Sequence, residues 1–525
     1  MIYKNVYHLF YQYNPEGVEW SPSIVWAHSS STDLVNWTPH DDALYSSEHF
    51  DINGCWSGST TILPGGKPAI FYTGFSSDNE QVQNLAFPKN LSDPFLREWV
   101  KIPQNPLMMP TQANQIITDS FRDPTTAWLG LDNRWRVVIG SRTNKTGLAI
   151  LYTSDDFLNW TMANHPFHSA EENGMWECPD FFPVSKSSQI GIDTSTNGPN
   201  VKHVLKVSLF DKGKEYYTIG TYNLDKDIYV PDEGSVESES GLRFDYGKFY
   251  ASKSFFDSAK NRRILWGWVN ESSTAQDDFK KGWSGLQTFP RTILLDKSGK
   301  QLVQWPIEEL EKLRAEHVKM PSTEIIGGAL HEVLGVTTAQ ADVVVTFEIS
   351  HLEKTEVLDP SWTNPQILCS EKNATVSGSL GPFGLLVLAS AELQEYTAVF
   401  YRIFRSHNND KYVVLMCSDQ SRSSLNENND MTTYGAFVNV DPVHEKLSLR
   451  SLIDHSIVES FSGEGKTCIT ARVYPTLAVN ADTHLHVFNY GRESVKVTGS
   501  AWSMKTANIN RSGQKEIKRI EDIVS

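Results

Sequence analysis

The chain has 525 residues, more than the roughly 250–300 over which a single hydrophobic core keeps growing, so at least two domains are expected. Hydrophobic residues make up 39% and charged residues 21%, with 15 Trp, 19 Tyr and 25 Phe, which excludes intrinsic disorder. With 47 basic and 63 acidic residues the net charge is −16, so phosphate backbones and anionic lipid are poor partners. No run reaches the 18 or so apolar residues of a membrane-spanning helix.

The opening residues run from Met1-Ile2-Tyr3-Lys4 into the alternating Val6-Tyr7-His8-Leu9-Phe10-Tyr11-Gln12-Tyr13, a strand pattern. They carry no signal-peptide grammar. Seven Asn-x-Ser/Thr sequons, at Asn36, Asn90, Asn144, Asn159, Asn270, Asn373 and Asn510, nevertheless point to a secreted glycoprotein. The expectation is a secreted chain whose beginning is missing.

Up to about residue 304 the sequence reads as short strands and turns. Thr60-Thr61-Ile62-Leu63, Pro64-Gly65-Gly66, Ala69-Ile70-Phe71-Tyr72-Thr73 is one such hairpin. Ser31-Thr32-Asp33-Leu34-Val35-Asn36-Trp37-Thr38 is echoed by Ser154-Asp155-Asp156-Phe157-Leu158-Asn159-Trp160-Thr161. Strand starts recur near Gly54, Phe121, Glu177 and Asp245, spaced roughly as four-stranded propeller blades would be. Four starts plus the opening strand predict a five-bladed β-propeller with an incomplete first blade; a large β-sandwich or barrel is the alternative. Residues 305–321 read as a helical linker, with Pro306 early, Glu308, Glu309 and Glu311 next, and Lys312 and Arg314 after them. Residues 322–525, with runs such as Val343-Val344-Val345-Thr346-Phe347, have the size and pattern of an antiparallel β-sandwich. The all-β expectation is thus 1–304 propeller, 305–321 linker, 322–525 sandwich.

Several chemistries lack their motifs. Gly465-Lys466-Thr467 ends like a phosphate-binding loop, but the required glycine is Ser460. The 15 His show no His-Glu-x-x-His, and no Cys-x-x-Cys occurs, so no metal is expected. What remains is acids beside aromatics at the blade starts. Taken alone, Asp123 in Arg122-Asp123-Pro124 is a turn residue paired with Arg122, and Glu177 is an edge glutamate on a strand. In a propeller, first strands of different blades line one channel, so these acids would converge. Glu177, between Trp176 and Cys178, has a semi-apolar setting that suits a general acid. Trp20, Trp56 and Phe75 would wall the pocket, and paired carboxylates beside aromatic faces suit glycoside hydrolysis.

The runs Tyr7-His8-Leu9-Phe10-Tyr11-Gln12-Tyr13-Asn14-Pro15, Cys55-Trp56-Ser57-Gly58-Ser59, Phe121-Arg122-Asp123-Pro124, Trp176-Glu177-Cys178-Pro179-Asp180 and Tyr246-Gly247-Lys248-Phe249-Tyr250-Ala251-Ser252-Lys253 together resemble glycoside hydrolase family 32. Proline after Glu177-Cys178 resembles the plant cell-wall invertase and fructan exohydrolase group. The resemblance, which extends to about residue 505, implies a five-bladed propeller followed by a sandwich. It implies a retaining mechanism on terminal β-fructofuranosyl groups, no cofactor, a monomer, and secretion to the apoplast with cell-wall polysaccharide as a further contact. Glu177 matches the general acid/base and Asp123 the acid that binds fructose hydroxyls, with Arg122 beside it. Gln12, Trp20, Trp56 and Ser57 match sugar-contacting positions. The family's nucleophile, the Asp of Trp-Met-Asn-Asp-Pro-Asn-Gly, has no counterpart in residues 1–525, and an inactive or impaired chain is expected. Phe210 falls where sucrose-cleaving members carry an Asp, which favours a fructan exohydrolase over an acid invertase; a one-residue shift would put Asp211 there instead. A non-catalytic fructan-binding protein is the third reading. The resemblance also implies a Cys369–Cys417 disulfide, leaving Cys55, Cys178 and Cys468 as free thiols.

Overall fold

Apolar and aromatic side chains alternating over turn-bounded runs have the two-residue period of a strand. Strands dominate the computed structural model, which describes residues 1–408 and 411–509. Five antiparallel sheets succeed one another along the chain. The first runs Ile2–Tyr3, Val6–Tyr13, Val25–Ser31, Thr38–Pro39. It has four strands, and the reading of an incomplete blade corresponds only to its two-residue first strand, where the second sheet opens with the ten-residue Gly54–Leu63. The second sheet continues Lys67–Phe75, Gln81–Pro88, Trp99–Lys101. The third is built on Trp135–Thr143 and Thr146–Ser154, with the short strand Phe121–Arg122 against the former. The fourth runs Trp176–Ser185, Val201–Leu209, Lys214–Asn223, Ile228–Pro231, and the fifth Phe249–Asp257, Arg262–Val269, Arg291–Leu295, Leu302–Pro306.

Hydrogen bonds close the sheets into a ring. Cys55 N donates to Ile24 O (2.8 Å), Ser59 Oγ to Pro124 O (2.8 Å) and Cys178 N to Asp123 Oδ2 (2.8 Å). Ser254 N donates to Asp180 Oδ2 (2.9 Å), and Tyr7 Oη to Asp257 Oδ2 (3.0 Å) joins the first sheet to the fifth. This is the propeller arrangement. The sequence echo is a repeated turn between the third and fourth strands of a blade. Asp33 Oδ1 accepts from Val35 N and Asn36 N (3.0 and 2.8 Å), as Asp156 Oδ1 does from Leu158 N and Asn159 N (2.9 and 2.7 Å). Within these turns the Asn36 and Asn159 amides donate to Asp33 and Asp156. Of the other sequon residues, Asn90, Asn144 and Asn270 are exposed, Asn373 is half-buried and Asn510 lies outside the described residues.

The predicted 305–321 helix is corrected by the structure. Only Glu308–Leu313 is helical, as a single 3-10 stretch; Pro306 ends a strand, and Arg314–Ile325 is a strand paired with Val495–Met504. Tertiary pairing overrides the local helix signals. The Arg314 guanidinium lies 3.9 Å from the centre of the Trp502 ring, and His317 stacks on it at 4.8 Å.

Two compact units partition the chain. One comprises Met1–Leu242, Ala251–Leu265 and the described residues from Ala507 onward; the other comprises Arg243–Tyr250 and Trp266–Thr506. In the second, a six-stranded and a seven-stranded sheet form the sandwich. Its core includes Val343, Val345, Phe347, Leu385, Val387, Val399 and Tyr401, all fully buried. The same unit holds a buried ionic cluster in which Arg291 Nη2 meets Asp245 (2.9 Å) and Glu459 (2.7 Å). Cys369, on the helix Pro365–Glu371, is disulfide-bonded to Cys417, while Cys55, Cys178 and Cys468 are buried free thiols. The bridge spans 48 residues of chain. Replacing both of its cysteines by serine is expected to lower the unfolding free energy by about 3–4 kcal/mol. Denaturant titration of the full chain checks this, and an unchanged midpoint would show that the bridge constrains nothing.

Candidate active site

The acids singled out from sequence sit where strands break their own regularity. Glu177 and Asp180 pair with Ser208 and Lys206, so Cys178 and Pro179 form a bulge in the strand Trp176–Ser185. A second bulge falls at Ser57, between Trp56 paired with Thr73 and Gly58 paired with Tyr72. Bulges re-aim side chains beside functional sites. Asp123 and Cys178 both have left-handed backbones (φ 66° and 45°), and each precedes a proline. Such conformations are costly for residues with a Cβ and persist only where neighbours over-determine them.

Those neighbours are present. Asp123 N donates to Thr73 Oγ1 (2.9 Å), Thr73 Oγ1 donates to Gln83 Oε1 (2.8 Å), and Gln83 Nε2 donates to Phe121 O (2.8 Å). From the other side, Cys178 N donates to Asp123 Oδ2, and the Cys178 thiol lies 3.5 Å from the same oxygen. Burial, and then the Asp123 carboxylate, push the Cys178 thiol well above the usual range, which keeps it protonated as a donor. Gly140 lets the blades approach: a Cβ there would come within 2.2 Å of Trp176 O.

Arg122 links the two acidic motifs. Its Nε and Nη2 both reach Glu177 Oε1, at 3.0 and 2.9 Å. Its Nη1 donates to Gln81 Oε1 and Asp119 O, both at 3.2 Å. Arg122 and Asp123 are buried, whereas the Glu177 side chain keeps 17% of its surface exposed, enough to meet a ligand. The exposed Phe210 ring lies 5.3 Å from the Arg122 guanidinium. Asp211, the alternative at this position, instead packs against Gly174, where a Cβ would meet its Oδ2 at 2.0 Å.

The aromatic residues form a second group. Trp56 stacks on Phe75 (5.0 Å, 27°), and Trp20, 72% exposed, meets Trp56 edge-on at 6.2 Å. The Gln12 amide is satisfied with its nitrogen toward Cys55 O and its oxygen toward Trp26 Nε1, both at 3.1 Å. Trp56 pairs with Thr73 across the strands, and the Thr73 hydroxyl accepts from Asp123 N, so Thr73 links the aromatic group to the acid pair. The site's supporting residues carry no motif of their own. Thr73, Gln81 and Gln83 are buried polar side chains within strands, and the spacing of Gln81 and Gln83 was their only local signal. Lys253 ends the Tyr246–Lys253 motif, whose residues alone assign it no role.

Known proteins show the same organisation. Residues 1–306 match the N-terminal domain of glycosyl hydrolases family 32, and residues 309–503 match the family's C-terminal domain. The fructan 6-exohydrolase of Beta vulgaris is 63% identical over 98% of this chain and 85% of its own length. The β-fructofuranosidase insoluble isoenzyme CWINV1 of Arabidopsis thaliana is 61% identical over 97% and 88%. The crystal structure of fructan 1-exohydrolase IIa from Cichorium intybus superposes with a TM-score of 0.94 at 51% identity, covering 97% of this chain and 94% of that one; a variant of it has been solved with 1-kestose. Both domains and these relatives place the chain in glycoside hydrolase family 32.

Proposed function

We propose that the site releases terminal β-fructofuranosyl units from fructans by a retaining mechanism in which Glu177 is the acid/base. The supporting observation is the joining of the two acidic loops: Arg122 pairs with Glu177 while Asp123 is bonded to the residue that follows Glu177. In the first step Glu177 gives its proton to the leaving oxygen as the glycosidic C–O bond breaks and a carboxylate traps the fructosyl group. In the second, the ionised Glu177 takes a proton from the water that displaces that carboxylate. Asp123 binds fructose hydroxyls and stabilises the positive charge that develops on the ring. Gln12, Trp20, Trp56 and Ser57 hold the sugar, with the indoles offering apolar faces to its C–H groups.

Phe210 supports fructan over sucrose. It presents a ring where an acidic side chain would bind glucose hydroxyls, and Asp211 is turned onto Gly174. The exohydrolases of Beta vulgaris and Cichorium intybus agree with that reading, whereas the Arabidopsis thaliana relative is a β-fructofuranosidase. Phe210→Asp is expected to raise kcat/KM for sucrose relative to fructan by roughly ten- to a hundredfold. That corresponds to about 1.5–3 kcal/mol from a charge-assisted hydrogen bond. An unchanged ratio would remove Phe210 as the discriminating residue. Apoplastic secretion accords with the sequons, the disulfide and the insoluble isoenzyme among the relatives.

A further inference from the structure

Lys253 reaches both acidic loops from a third strand. Its Nζ donates to Pro179 O (2.8 Å) and to Pro124 O (3.3 Å). Pro124 directly follows Asp123, and Pro179 lies two residues beyond Glu177. Each proline deletes a backbone N–H, so these loops cannot be pinned by a regular strand ladder. Each also follows a residue in the left-handed region, Asp123 and Cys178, where the conformation must be imposed from outside.

The strand that presents Lys253 is itself fixed. Ser252 N and Oγ donate to the two oxygens of Glu215 (both 2.7 Å), and Ser252 O accepts from Lys206 Nζ (2.5 Å). On its other side, Ser254 N donates to Asp180 Oδ2 (2.9 Å). The Lys253 amine is therefore a donor of set position that joins two loops 55 residues apart in sequence, at the point where their spacing sets the separation of Asp123 and Glu177. Burial holds its pKa below the ordinary lysine range, and the Asp180 carboxylate acts in the opposite sense.

The geometry points to Lys253 as a positioning residue that staples the Asp123 and Glu177 loops through the carbonyls of Pro124 and Pro179. It acts through those acids and requires no contact with substrate. The roles of the acids rest on the proposed function, but the staple can be read without any ligand.

Hydrogen–deuterium exchange of the full chain tests it, comparing residues 119–126 and 175–182 with the sandwich strand Phe383–Ala389. Lys253→Met is expected to speed exchange in both loops, at the Cys178 amide above all, by about ten- to a hundredfold, with the sandwich unchanged. Lys253→Arg, which can still donate to two carbonyls, is expected to recover most of the protection. If the methionine variant does not fold, Lys253→Gln, with a shorter donor, is read in the same way. Unchanged protection in the loops would overturn the inference. So would loss spread evenly over residues 1–242, or loss with arginine as large as with methionine, because either means packing rather than hydrogen bonding. Calorimetric titration with 1-kestose on the same samples keeps the two claims apart: no binding by the wild type would sink the proposed function and leave the exchange result standing.

Discussion

Glu177→Gln is expected to lower kcat for fructoside hydrolysis by about two to four orders of magnitude. Glutamine keeps the shape and still offers an oxygen to Arg122, which now holds Glu177 through Nε and Nη2, so folding should change little. It cannot give a proton to the leaving oxygen or take one from water. Both chemical steps should therefore slow, with KM altered far less. A substrate whose leaving group needs no protonation should recover the first step and leave the second slow. A loss of less than tenfold would move the acid/base role away from Glu177.

The propeller was legible because its strands alternate in a simple period and its blade starts carry recognisable clusters at Trp56, Arg122-Asp123 and Glu177. The repeated Ser31–Trp37 and Ser154–Trp160 turns make the same bonds wherever they occur, so their likeness showed in the sequence. The helix expected over 305–321 failed for the opposite reason. Its signals are local, and Arg314–Ile325 answers instead to a strand about 180 residues away. The supporting shell was hidden in the same way. Thr73, Gln83 and Lys253 matter through hydrogen bonds to residues 38–129 positions distant, and no local pattern records such pairings. Sequence favours Phe210 over Asp211 as the discriminating position; Phe210 lies against Arg122 and Asp211 against Gly174. The Cys369–Cys417 pair came from family resemblance; five cysteines alone permit several pairings.

Asp123→Asn is expected to lower kcat/KM for fructoside hydrolysis by about two to three orders of magnitude. Asparagine keeps the shape of the side chain but brings no negative charge to the positive charge that develops on the fructosyl ring. Its amide oxygen can still accept from the Cys178 amide, and the backbone bond to Thr73 is untouched, so the loops should hold. A loss below tenfold would move that stabilising role away from Asp123. The account is tested most directly by assaying the protein and its Glu177→Gln variant side by side on sucrose, levan and inulin, with released fructose quantified. The expected result is release by the wild type that favours fructan over sucrose, and loss of that release on Glu177→Gln. Undiminished release by the variant, or a wild type that favours sucrose, would contradict the account.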